Sequence, residues 1–97
     1  MTEQALVKMN EEQIAQALEA HGEWIELNNE IQRTFEFEDF LGSMKFVNAI
    51  AQYAEQAQHH PDMLIRYNKV TLTVSTHDAN GITHKDFELA DFADAQS

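Results

Sequence analysis

The chain is predicted to fold as a single α+β domain with the element order αββαββα, in which helices pack on one face of a four-stranded antiparallel sheet. Its 97 residues suffice for one hydrophobic core but not for two. Apolar residues alternate in two pairs of short segments and recur at three-and-four spacing in three longer ones. Short turns join the segments of each pair, which makes paired strands antiparallel.

The first helix is predicted from its end signals. Asn10, followed by two glutamates and Gln13, is a capped start, and Gly22 stands where a left-handed C-cap is favoured. The helix is therefore expected over residues 11–21, whereas residues 1–9 show little pattern and are expected to be disordered. Its apolar stripe consists of Ile14, Ala17 and Leu18.

A β-hairpin follows. Asn28 and Asn29 tolerate the positive φ angles that a tight hairpin turn requires. In the second strand, Phe35 and Phe37 lie on the same side as Ile31 and are expected to face the core. Trp24, at the start of the first strand, is also expected in the core. The expected strands span residues 24–27 and 31–37.

The second helix is predicted to be the longest element. Asp39 is a good N-cap, and Pro61 prevents continuation, so the helix is expected to run to about Gln58. Residues at four-and-three spacing define its apolar face. They are Phe40, Met44, Val47, Ala51 and Ala54, with Phe46 and Ile50 beside them.

A second strand pair and a third helix complete the domain. Strands are expected over residues 63–67 and 70–76, with a turn near Asn68. After a polar loop, Thr83 with Asp86 three residues later resembles a capping box, which predicts the start of the last helix.

The composition narrows the classes of function. With 17 acidic and 6 basic residues, the net charge is -11, so the surface should repel nucleic acid and anionic membranes. There is no cysteine, which excludes disulfides, thiolate metal sites and cysteine nucleophiles. The first residues form neither a signal peptide nor a membrane span, so a cytoplasmic location is expected.

Three histidines, His59, His60 and His77, are expected at the ends of secondary-structure elements, where functional sites are commonly built. Each could be a surface or helix-capping residue. A metal site is disfavoured because ligand pairs usually lie four residues apart on a helix, and adjacent side chains diverge. Acid-base catalysis suits histidine, whose pKa of about 6.5 makes both protonation states available near neutrality.

The segment around these histidines resembles the signature of the pterin-4a-carbinolamine dehydratase family. The resemblance extends upstream to Trp24 and to the segment Phe35-x-Phe37-x-Asp39-Phe40, and it covers nearly the whole chain. Its components in residues 55–90 are Glu55, His59-His60-Pro61, Tyr67-Asn68-Lys69-Val70, Thr76-His77-Asp78, Gly81, Asp86 and Leu89-Ala90.

The resemblance implies removal of water from a 4a-hydroxytetrahydropterin to give quinonoid dihydropterin, a step in tetrahydrobiopterin recycling, without cofactor or metal. In family terms, His60 would mainly hold the substrate, and His59 and His77 would exchange protons with it. Relatives associate, so a homodimer or homotetramer is expected. The further substrate-binding residues implied are Glu55, Pro61, Met63, Thr76, Asp78 and Asp86.

Several of these residues also fit structural roles. Glu55 lies one helical turn before His59 and could meet that imidazole or the pterin, but it could equally be a solvated surface residue. Asp86 is sufficiently accounted for by the capping box. Met63 stands where the family often has an aromatic residue, and its polarizable sulfur would cover a ring less specifically. His21 and His84 match no family position and are expected on the surface.

Two rival functions stay open. The first is a protein-binding module, because some relatives serve as dimerisation cofactors of transcription regulators. The second is a dehydratase that acts on another pterin-type substrate. An intact set of three histidines favours an enzyme, since a binding module has no need of acid-base groups in a pocket.

Overall fold

A computed structural model describes residues 6–97 of the chain. Of residues 1–9, which are expected to be disordered, residues 1–5 lie outside the described residues, whereas the Met9 amide donates to the Ile82 carbonyl at 2.8 Å. The predicted order αββαββα is confirmed, with one additional 3-10 turn before the last helix. None of the helices in the described part combines the length and apolar character needed to cross a membrane. The elements are α1 (Glu11–Ala20), β1 (Ile25–Leu27), β2 (Glu30–Glu36), α2 (Phe40–Ala57), β3 (Asp62–Arg66), β4 (Lys69–Val74), the 3-10 turn (His77–Ala79) and α3 (His84–Gln96).

The four strands form one antiparallel sheet in the order β1-β2-β4-β3. Each hairpin therefore contributes one central and one edge strand, and the two hairpins meet through β2 and β4. In this central pairing Ile31 faces Val74 and Phe35 faces Val70. Because paired residues lie on the same side of a sheet, this register brings the apolar residues of both strands to one face.

The helices cover that face of the sheet, as predicted. The rings of Phe35 on β2 and Phe46 on α2 lie with their centroids 4.6 Å apart, and Trp24 approaches Phe35 edge-on at 6.0 Å. The opposite face is polar at its centre, where the hydroxyls of Thr34 and Thr71 are hydrogen-bonded at 2.7 Å, and carries exposed apolar residues on its edge strands. The fully covered strand residues are Ile31, Phe35, Val70, Leu72 and Val74.

The local end signals are largely confirmed. Asn10 and Thr83 each form a capping box, and the Asp39 side chain accepts a hydrogen bond from the third residue of α2. Asn28 and Asn29 have φ angles of 55° and 64°, as the hairpin prediction requires. These signals depend on residues within a few positions of one another, so they can be recognised without knowledge of the tertiary fold.

Two details of the predicted helices are wrong. No glycine in residues 6–97 has a positive φ, so Gly22 does not form a left-handed cap; α1 ends at Ala20 and His21 is its C-cap with φ -129°. Phe40 is 47% exposed, because it occupies the first position of α2 and lies off the buried face. That face consists of Ser43, Phe46, Val47, Ile50 and Ala54.

His21 connects α1 to α3 and does not lie on the surface as the sequence predicts. Its Nδ1 lies 2.7 Å from the Ala17 carbonyl oxygen and its Nε2 lies 2.6 Å from Asp91 Oδ1, while its ring packs against Phe87. Its side chain is only 12% exposed. Beside it, the carboxylate of Asp94 accepts hydrogen bonds from Trp24 and Arg33, so α3 is anchored to three preceding parts of the chain.

Both ring nitrogens of His21 face acceptors, which favours the doubly protonated imidazolium. Burial alone lowers the pKa of His21, but the hydrogen bonds to Ala17 and Asp91 and the charges of Asp91 and Asp94 together outweigh it, so the pKa is raised above 6.5. A histidine with a raised folded-state pKa stabilises the fold fully below the unfolded pKa, and this contribution is lost as the pH rises through the folded pKa.

We therefore expect His21→Gln to destabilise the protein more in mild acid than in alkali. Urea unfolding of wild type and variant at about pH 5.5 and about pH 8.5 measures the difference, these values lying on either side of the usual titration range of histidine. His84→Gln is the control, because the nearest carboxylate oxygen, on Glu88, is 4.0 Å away. A destabilisation by His21→Gln that is equal at both pH values, or larger in alkali, would contradict this account.

Candidate active site

The three histidines singled out in the sequence line one cavity of about 260 Å³. His59 and His60 follow the C-terminal end of α2, and His77 begins the 3-10 turn that follows β4. The sheet and the longest helix therefore deliver the three imidazoles from two different elements. The other residues that line the cavity are Leu6, Gln58, Ser75, Thr76, Asp78 and Lys85.

The end of α2 explains how adjacent histidines can occupy different environments. Gln58 adopts the left-handed conformation (φ 53°, ψ 45°), and the His59 amide donates to the Ala54 carbonyl, which closes the helix. The chain then continues through His60 and Pro61 into β3. The His59 side chain is only 10% exposed, whereas that of His60 is 55% exposed.

His59 is bonded to a buried carboxylate. Its Nε2 lies 2.6 Å from Oδ1 of Asp86, whose side chain is fully buried. The second oxygen, Oδ2, accepts hydrogen bonds from the Thr83 amide at 2.8 Å and the Thr76 hydroxyl at 2.9 Å. Asp86 thus completes the capping box of α3 with one oxygen and contacts His59 with the other, so it has a structural role and a place at the site together.

His60 is paired with a different carboxylate. Its Nε2 lies 2.6 Å from Oε2 of Glu55, and both side chains are largely exposed. The sequence places Glu55 one helical turn before His59 and leaves two roles open, a contact with that imidazole or the substrate and a solvated surface residue. Because α2 ends at Ala57, the spacing of one helical turn does not extend to His59, and Glu55 meets His60 instead.

Of the other residues implied by the family resemblance, some line the cavity and some do not. Thr76 and Asp78 line the cavity, although Thr76 is nearly completely buried. Met63 pairs with Leu72 on the covered face of the sheet and packs against the core. Pro61 lies between the histidine pair and β3, half-buried, and like Met63 does not line this cavity.

Sequence reasoning missed two residues at the site. Lys85 is the cationic side chain among the cavity-lining residues, and the Thr83 hydroxyl lies 2.6 Å from that of Thr76. Thr83 is the first residue of the capping box that the sequence locates at the start of α3, and Lys85 lies within it. These residues were missed because no local sequence signal predicts that the start of α3 lies beside the end of β4.

The cavity does not present an obvious metal centre. Within residues 6–97, no group of three or more histidine, aspartate or glutamate side chains is arranged to hold a metal ion. A larger groove of about 800 Å³ between α1 and α3 contains a single histidine, His84. The cavity with three imidazoles is therefore the candidate site for proton-transfer chemistry.

Fold and site together define a class of protein: a small α+β domain in which imidazoles, one of them backed by a buried carboxylate, converge on one cavity. The sequence profile of pterin 4 alpha carbinolamine dehydratases matches residues 7–96. The chain belongs to this family, and the resemblance seen in the sequence is confirmed.

Individual relatives support the same assignment. The chain is 46% identical over 83 residues to a protein of a Picosynechococcus species, with 86% of this chain and 90% of the relative covered. It is 48% identical over 83 residues to one from Chloroflexus aurantiacus, with 86% and 89% covered. Both relatives are named only provisionally as pterin-4-alpha-carbinolamine dehydratases.

Solved structures give the same result for the fold. A crystal structure of a transcriptional coactivator/pterin dehydratase from Brucella melitensis superposes with a TM-score of 0.90 at 34% identity, over 92% of this chain and 97% of the other. A pterin dehydratase-like protein described as a RuBisCO assembly factor of the alpha-carboxysome superposes with a TM-score of 0.63 over 75% of this chain and 84% of the other. At 18% identity, this second similarity concerns the fold alone.

Proposed function

We propose that the protein is a hydro-lyase that removes water from a 4a-hydroxytetrahydropterin to give quinonoid dihydropterin, as in tetrahydrobiopterin recycling. The observation that carries this proposal is the convergence of His59 and His77 on one cavity, with Asp86 buried behind His59. Membership of the dehydratase family supports the choice of substrate class.

The reaction requires two coordinated proton transfers. A donor protonates the 4a-oxygen, the bond from carbon 4a to this oxygen breaks, and water leaves. An acceptor removes the proton from N5, whose electron pair forms the double bond to carbon 4a. One histidine loses a proton and another gains one, so exchange with solvent restores both, and the balance requires no redox partner.

The surroundings of the histidines suggest their roles. His59 and His77 exchange the protons, His59 being oriented by the buried carboxylate of Asp86. His60, exposed and paired with Glu55, holds the substrate by hydrogen bonding. Of the remaining predicted contacts, Thr76 and Asp78 line the cavity, whereas Pro61 and Met63 could meet the substrate only outside it.

Two observations favour a second function. The Brucella melitensis relative carries the description of a transcriptional coactivator as well as a pterin dehydratase. Phe40 and Leu41 at the start of α2 are 47% and 77% exposed and offer an apolar contact for a partner protein. A role as dimerisation cofactor is therefore the alternative proposal, along with dehydration of another pterin-type substrate. A cytoplasmic location stays a prediction from the sequence.

Self-association is expected as a homodimer or homotetramer. The uncovered face of the sheet exposes Ile25, Leu27 and Leu64, each by more than half of its surface, and a small domain gains stability by covering such residues. Sedimentation velocity at micromolar concentration should give twice or four times the 11.1 kDa of one chain. A single species of 11.1 kDa throughout would contradict the proposal.

The proposed activity is tested directly by stopped-flow absorbance. Freshly generated 4a-hydroxytetrahydropterin is mixed with the protein and with buffer alone, and formation of the quinonoid product is followed. We expect acceleration that is unchanged after exhaustive treatment with a chelator. No acceleration would reject the dehydratase, and a large loss restored by zinc would reject the metal-free mechanism.

Substitution of the histidines should separate proton transfer from substrate binding. We expect His59→Gln and His77→Gln to lower kcat by about a hundred- to ten-thousand-fold, the usual contribution of a general acid or base. Glutamine retains a hydrogen-bond donor for Asp86 but cannot exchange protons near neutrality. His60→Gln should mainly raise KM, because lost uniform binding does not alter kcat.

His84→Gln is the matched control, since His84 lies outside the cavity, and it should leave kcat and KM unchanged. Thermal melting accompanies the kinetics, and all four variants are expected to remain folded. Full activity in His59→Gln and His77→Gln would make these residues incidental and favour the binding-module alternative.

A further inference from the structure

A series of hydrogen-bonded side chains, the hydroxyl chain, lies beneath the candidate active site and consists of Thr83, Thr76 and Asp86. Thr76, Thr83 and Asp86 are 3%, 0% and 0% exposed. The Thr83 hydroxyl is 2.6 Å from the Thr76 hydroxyl, which in turn is 2.9 Å from Asp86 Oδ2. The chain continues through Asp86 Oδ1 to His59 Nε2 at 2.6 Å.

The number of hydrogens that each group carries determines which group donates in each hydrogen bond of the hydroxyl chain. Each threonine hydroxyl has one hydrogen to donate. Thr76 donates its hydrogen to Asp86 Oδ2, so the hydrogen between the two threonines must come from Thr83. The Thr83 oxygen in turn accepts from the backbone amide of Lys85 at 3.3 Å.

The proton between Asp86 and His59 belongs to the imidazole, because the carboxylate oxygens act as acceptors. Oδ2 already accepts two hydrogen bonds, from the Thr83 amide and the Thr76 hydroxyl, which favours the ionised, acceptor-only carboxylate. Oδ1 then accepts from His59, whose Nε2 must carry a hydrogen. In the neutral imidazole the other nitrogen, Nδ1, is consequently unprotonated.

The other ring nitrogen of His59, Nδ1, has no hydrogen-bond partner among residues 6–97. His59 lines the cavity, and its side chain is 10% exposed. Nδ1 is therefore the ring nitrogen left to contact a molecule bound in the cavity.

We propose that Thr76 and Thr83 are positioning residues that fix the Nε2-protonated tautomer of His59, so that Nδ1 is the nitrogen that exchanges a proton with the substrate. The kinetic part of this inference rests on the proposed dehydratase function. The tautomer itself is a property of the free protein and is measurable without substrate.

The threonines differ in what else they do, which separates positioning from structural roles. Thr83 is also the N-cap of α3, whereas the Thr76 side chain makes no capping hydrogen bond to the 3-10 turn. Thr76→Val therefore removes the donor to Asp86 with little change in shape and without loss of a cap. Thr83→Val removes the next link and a cap, and Thr83→Ser restores both.

The test combines nitrogen-15 spectra of the imidazole rings with steady-state kinetics. In wild type, at a pH where the ring is neutral, His59 should show a protonated Nε2 and an unprotonated Nδ1. Thr76→Val should give a mixture of tautomers and lower kcat by about ten- to a hundred-fold at unchanged KM, the scale of a lost hydrogen bond to a charged group. Thr83→Val should do the same more weakly, and Thr83→Ser should behave as wild type.

Asn10→Ala is the matched control for lost stability, because it removes the N-cap of α1. It should lower the melting temperature to a similar extent as Thr83→Val and leave the His59 tautomer and kcat unchanged. A wild-type His59 protonated at Nδ1, or a Thr76→Val variant with wild-type spectrum and kcat, would overturn the inference. If wild type has no dehydratase activity, the proposed function fails, and the spectra still decide whether the hydroxyl chain sets the tautomer.

Discussion

The buried carboxylate of Asp86 is the constraint on which both the fold and the site depend. An ionised group without solvent contact is costly unless hydrogen bonds compensate it. Here the compensation comes from the α3 start, from the end of β4 and from the end of α2, through Thr83, Thr76 and His59. Three elements distant in sequence must therefore meet correctly before this carboxylate is satisfied, so the energetics of folding and the geometry of the site are coupled.

The segment that follows β4 connects the buried carboxylate to the cavity. The Thr76 side chain points inward to Asp86, and the next residue, His77, begins the 3-10 turn and is exposed at the cavity. The Thr76 amide also donates to the Gly81 carbonyl at 2.8 Å, which closes the loop that carries His77. The segment that follows β4 thus supplies both a buried hydrogen-bond donor to Asp86 and an accessible imidazole.

How much of the fold and the site is predictable from the sequence depends on the range of the interactions. Capping boxes and the Asn28-Asn29 turn are local, and the sequence predicts them correctly. Phe40 matches the apolar spacing but lies off the buried face, because spacing alone does not fix which side of a helix start meets the sheet. The contact of His21 with Asp91 joins residues 70 positions apart and has no local signal. Family resemblance locates the three histidines, whereas their carboxylate partners are identified only by the tertiary structure.

The two imidazole-carboxylate pairs have the same distance but differ in burial, and it is the burial that distinguishes them. His59-Asp86 and His60-Glu55 have the same separation of 2.6 Å. The first pair is nearly excluded from solvent, where electrostatic interactions are strong and geometry is fixed by packing. The second is exposed, and such pairs contribute little energy and rearrange easily. A rigid pair suits proton transfer at a defined atom, and an adaptable pair suits the capture of a ring, so burial distinguishes the proposed roles of two histidines that the sequence places side by side.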